Sequence, residues 1–232
     1  MAVTVDATGT KLIGGSSVAS INYTGITVGS GSNMVLIVTL VLGASASTSA
    51  WAATWDSGGT NQAMTLLKSQ VTSTSGVATA VIFGLRNPTS GNKTLHLTWT
   101  GSQFPVVCAI SFTGVDTTSD AAAFPNAVAG TTSSLAVTSA TGDIPVGLIG
   151  AAGSLTSLNQ TSIYLDKTTS GADSAASRAA GASTVTFTAT GATGSIAMVG
   201  VDIAQSVASV VTGWIASFGE YLFGRVRNVV GY

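Results

Sequence analysis

Few side chains in this sequence could do acid–base, nucleophilic or metal chemistry. His96 is the one histidine and Cys108 the one cysteine. A zinc site needs three or four ligands, and no Cys/His cluster supplies them. A Ser-His-Asp triad would have to use His96, and no nucleophile-elbow sequence supports it. His96 lies among threonines in "TLHLTWT" and reads as a solvent-facing strand residue. The acidic residues Asp6, Asp56, Asp116, Asp120, Asp143, Asp166, Asp173, Asp202 and Glu220 are dispersed. Nothing in their spacing sets two carboxylates across a cleft, as glycoside hydrolysis requires. Asp116 and Asp120, in "GVDTTSD", could bind calcium through a loop, although aspartates also favour turns by bonding their own backbone. Trp51, Trp55 and Trp99 could form a sugar-stacking platform, or could pack near the rim of a core. The expectation is a chain that is not an enzyme, with no cofactor and no metal.

The elements that hold these residues read as strands. In "FPVVCAISF", Val106, Cys108, Ile110 and Phe112 share one face, so Cys108 is expected to be a small buried hydrophobe. Leu95, Leu97 and Trp99 alternate with Thr94, His96 and Thr98, and Val185 and Phe187 alternate with threonines. The eleven-residue run "MVLIVTLVLGA" (34–44) is too short to span a membrane as a helix and reads as a strand buried on both faces. Further strands are expected at 19–28, 51–55, 62–68, 77–85, 134–138, 144–151, 161–167 and 195–203. "GSGSN", "DSGGTN", "NPTSGN", "TSGAD" and "ATGATG" supply turns between them. The segment "ADSAASRAAG" (172–181) reads equally as a short helix or a Ser/Ala loop.

Composition narrows the class. Of the 232 residues 45% are hydrophobic, enough for a sizeable core. Only 7% are charged, against about 25% in ordinary domains, and the net charge is −1. No basic run exists to grip phosphates, so no nucleic-acid partner is expected. "MAVTVDATGT" has neither a basic nor an apolar signal region, so no secretory signal is expected there. One β-sandwich over 1–202 is preferred, with a long crossover at 115–130 that could alternatively divide two halves. A second domain of about seventy residues would be small without staples.

The last thirty residues change period. Val207, Val211, Trp214, Phe218, Tyr221 and Leu222 fall within an arc of about 100° on a helical wheel. A C-terminal amphipathic helix is therefore expected within 203–232, weakened by Gly213, Gly219 and Gly224. Trp214, Phe218 and Tyr221 alone offer about 450–750 Å² of surface, which something must cover. The candidate covers are the chain's own sandwich, sister chains, another protein and a membrane. The membrane comes last, because only Arg225 and Arg227 supply basic charge.

The stretches "NYTG", "NMVLIVTLVLG", "ATWDSGGTNQAMTLL", "VIFGLRNPTSGNKTLHLTWTG" and "AISFTGVD" follow one another over 22–116. Together they resemble a jelly-roll-type β-sandwich module of bacteriophage virion and tail proteins and of some bacterial surface proteins. The most specific piece is the Leu-x-Asn-Pro-x-x-Gly hairpin, here Leu85, Asn87, Pro88 and Gly91, followed by an alternating strand. The resemblance implies a fold and a setting, not an activity. The expectation that follows is an all-β, jelly-roll-like antiparallel sandwich in a virion structural protein: a capsid decoration, fibre or tail component. It would assemble in the host cytoplasm through its C-terminal aromatic helix, with sister chains or other virion proteins as partners. The alternative is a carbohydrate-binding or adhesion module for a host glycan, using Trp51, Trp55, Asp116 or Asp120. A third reading is an esterase-like or lyase-like enzyme that depends on His96.

Overall fold

The computed structural model describes residues 1–43, 50–72, 78–167 and 172–206. They form an antiparallel all-β protein with one short helix, Asp120–Ala123. Three hydrophobic cores separate four layers of strands.

The second layer contains Thr65–Val71, Ala78–Arg86, Met34–Gly43 and the later part of Leu95–Thr113, side by side. Thr4–Thr8 and Leu12–Ile13 also pair with that part of the long strand. As expected from an apolar run broken only by Thr39, whose hydroxyl donates to the Cys108 carbonyl, Met34–Gly43 is buried along its whole length. Val35, Ile37 and Val41 face the third layer, and Leu36, Val38 and Leu40 face the first. Val106, Cys108, Ile110 and Phe112 share one face, as their spacing predicts.

The 19-residue strand Leu95–Thr113 serves two layers. Its first part pairs with Val18–Tyr23 and Ala52–Trp55 in the first layer. The chain then curls over at Gly101, whose φ of 81° only glycine adopts without strain. The result is a half-barrel around the core of Tyr23, Trp55, Phe83 and Leu97. The Asn87–Gly91 segment turns the chain between two strands but is not a hairpin. Ala78–Arg86 and Leu95–Thr113 lie on opposite sides of Met34–Gly43, so the turn carries the chain from layer two to layer one.

The third layer runs Ala127–Gly130, Thr193–Val201, Val146–Gly153, Asp173–Arg178, Thr161–Asp166. Ser134–Thr138, Thr184–Thr190 and Ser157–Leu158 form the fourth. The helix-or-loop expectation for 172–181 is corrected here. Asp173–Arg178 is an interior strand, paired on both sides. Its side chains are small because it lies between two cores: Ala176 faces one and Ala175 the other. The expected strand 62–68 is two strands, Gln62–Ala63 and Thr65–Val71, in different layers. Buried Met64 sits at the corner between them.

Cys108 is 1% exposed, and burial pushes its thiol up to about 11. At pH 8 a disulfide reagent should therefore label the native protein about a hundredfold more slowly than the denatured chain. Equal rates would show that the central core opens readily.

Candidate functional site

The residues singled out by type do not converge. Trp55 is fully buried, and its indole N–H donates to the Thr89 carbonyl at 2.9 Å. It is a core residue and leaves no face for a sugar. Trp99 is likewise buried, with its N–H on the Val18 carbonyl. Trp51 is half-buried against the same core. The Asp116 carboxylate accepts from the hydroxyl and the backbone N–H of Thr118, which hold it below the usual carboxylate range. Asp120 accepts from the Thr65 hydroxyl and pairs with Arg86, and both lower its titration. The two aspartates thus serve different partners and do not build a calcium loop. Thr65, Arg86 and Asp120 line a shallow cleft of about 300 Å³, but the ion pair in it is already satisfied, with Arg86 also donating to Thr117. His96 sits on the first layer with its Nδ1 2.7 Å from the Asn22 side-chain oxygen. Among the described residues no group of three His, Cys, Asp or Glu could hold a metal. Val207, Val211, Trp214, Phe218, Tyr221 and Leu222 lie outside the described residues.

Physical chemistry concentrates instead where the last described strand ends. Residues 203–206 are not helical, in contrast to the helix expected from 203 onward. They form an extended strap between the two halves of the molecule. Asp202 N donates to Asn126 O, Ala204 N to Ala123 O, and Ser206 N to Gly114 O. In return the strap's carbonyls accept from the body, Ile203 O from Ile144 N and Ala204 O from Asp116 N. Gln205 bridges to Val115, and its side chain donates to Thr141 O at 2.7 Å. Ile203 is fully buried in the central core. The N-terminal ammonium of Met1 donates to Ser206 O. Gly114 has a φ of 78°, and a Cβ there would lie 2.6 Å from Ala2 O, so only glycine lets the chain's start and the strap close together. Ser206, the last described residue, is therefore fixed by bonds to both halves.

No family model, no curated protein and no solved structure matches this chain. The strap's surroundings must be read from their own chemistry.

Two carboxyl groups face each other beneath the strap. Asp202 is 1% exposed and Asp143 is 6% exposed. Asp143 Oδ1 accepts from Gln205 N at 2.8 Å and Oδ2 from Ala140 N at 3.1 Å. Asp202 Oδ1 has no partner, and neither does the nearby Ser139 Oγ. Burial, followed by the Asp143 charge, raises Asp202 well above the usual carboxylate range, to about 6. Sequence reasoning missed this pair. The two residues are separated by most of the third and fourth layers, and neither lies in a motif. Asp143 in "ATGD" looks like an ordinary turn residue.

Proposed function

We propose that this chain is a non-enzymatic structural subunit of a bacteriophage particle, a capsid decoration, fibre or tail component, that assembles through residues 207–232. One contrast carries the assembly role. Among the described residues the only large hydrophobics left exposed are Met1, Leu66 and Leu165. They lie on different elements, so no cluster of strongly exposed large hydrophobics marks a cover for an aromatic stripe. In this reading the apolar side chains of Trp214, Phe218, Tyr221 and Leu222 find their cover on another copy or another protein. The virion setting rests on the resemblance over residues 22–116. The layered all-β body and a surface with few charges also suit a subunit packed among neighbours.

The test is the solution mass of the full chain, measured by light scattering after size exclusion. Trp214→Ser/Phe218→Ser should convert a defined oligomer into a monomer and leave the β circular-dichroism signal unchanged. A double variant that assembles normally would sink the reading. A shortened chain for the same test must end after Ser206, because a cut at Asp202 removes buried Ile203 and the strap's bonds to Gly114 and Ala123.

A further inference from the structure

We propose that Asp143 and Asp202 share a proton and so form a latch that ties the 202–206 strap to the body, and that losing this proton loosens the strap. The geometry requires a donor between them. Both side chains are buried, Gln205 N on Asp143 Oδ1 and Ile144 N on Ile203 O bring their two segments together, and Asp202 Oδ1 is left without a donor. Two ionised carboxylates would set acceptor against acceptor in a site that excludes water, which costs free energy unless something positive intervenes.

Among the described residues the surroundings offer no cation. Asp143 rises from the turn before Val146–Gly153 and Asp202 from the end of Thr193–Val201. Ser139 faces them from the same turn, Asn126 from the approach to Ala127–Gly130, and Gln205 from the strap; all are neutral. Asp116 reaches the strap through its backbone only, and its carboxylate is engaged by Thr118. Arg178 lies on the neighbouring strand, and the Met1 ammonium sits on Ser206 O. No ion pair among the described residues joins either to Asp143 or Asp202. A single proton on Asp202 turns the opposed oxygens into one hydrogen bond. The Asp143 oxygens go on accepting from Ala140 N and Gln205 N.

The latch has a direction. A carboxyl that binds its proton more tightly in the folded state stabilises the fold fully below the unfolded value of about 4. That stability is lost as pH rises through the folded value near 6. The strap should therefore be tightest in mild acid and looser above neutrality. This holds whether or not the segment beyond Ser206 assembles.

Amide hydrogen exchange on the full chain tests it. Ala204, Gln205 and Ser206 amides are all hydrogen-bonded, to Ala123 O, Asp143 Oδ1 and Gly114 O. With intrinsic exchange rates divided out, their protection should fall about tenfold or more between pH 5 and pH 8, while that of Ile37 in the central sheet holds. Asp202→Asn supplies a permanent donor and should keep the strap protected at both pH values. Asp143→Asn should not, because an amide cannot accept from both Ala140 N and Gln205 N. Parallel profiles for the parent and Asp202→Asn would overturn the proposal. If Asp202→Asn fails to fold, a pH-independent strap in the parent overturns it alone. Full protection restored at pH 8 by millimolar calcium in the parent would also overturn it, showing that a cation and not a proton fills the gap.

Discussion

Gly150→Leu is expected to lower the stability of the whole chain by about 3 kcal/mol or more, and Tm by about 6–12 °C. The reason lies where the second and third layers meet. Gly150 sits in Val146–Gly153, and a Cβ built there would lie 2.9 Å from Val41 Cγ1 and 3.0 Å from Ala78 Cβ. Val41 has a rotamer to give, but Ala78 Cβ is fixed to its backbone, so relief requires the sheets to separate. Separation would expose the core that joins the two halves, where Ile37, Ile82, Phe112, Leu148 and Val199 meet. Gly15→Ala is the control, since a Cβ there meets nothing within 4 Å and should change Tm little. Differential scanning calorimetry of the three proteins decides the matter. If Gly150→Leu melts like the parent, the two halves are not held by this contact.

The layering was partly legible in the residues. A strand apolar on both faces lies between two cores, and "MVLIVTLVLG", polar only at Thr39, announces one such strand. "VGLIGAA" is a second, and two such strands in one chain imply two inner sheets. That step was within reach of the sequence. Its glycines obscure it, because Gly147 makes room for Phe187 on one face and Gly150 for Val41 on the other. Asp173–Arg178 carries no β-branched or aromatic residue, so propensity could not mark it as a strand. Crowding between layers selects its alanines and serines, and crowding is a tertiary fact. Trp55 beside the "DSGG" turn could serve a core or a sugar platform, with the core favoured because aromatics dominate cores, and its buried indole on Thr89 O places it in the core. The Asp143–Asp202 contact left no trace in local pattern, since each residue reads alone as a turn or strand-end aspartate.

Lys11→Met should cost about 2–4 kcal/mol at pH 7, a large loss for a residue at the edge of the second layer. Lys11 Nζ lies 3.1 Å from Asp166 Oδ1 and donates to Leu165 O at 2.7 Å. It precedes Leu12–Ile13, which pairs with Val106 and Val107, whereas Asp166 ends Thr161–Asp166 in the third layer. The pair therefore ties the same two layers that Gly150 lets approach. The Asp166 side chain is fully buried and that of Lys11 is 29% exposed. Removing the ammonium takes the cation from a carboxylate that water cannot reach. The partial exposure of Lys11 keeps the expected cost toward the lower part of the range for breaking a buried pair. The charge, not the lysine stem, should matter most. Lys11→Met keeps much of the stem's apolar contact, and Lys11→Met/Asp166→Leu should cost less than the two single variants together, because the second charge is removed with the first. A double-mutant cycle from urea denaturation measures that coupling. If the double variant is as unstable as the sum of the single ones, the pair contributes no coupling and the layers are held by apolar packing alone.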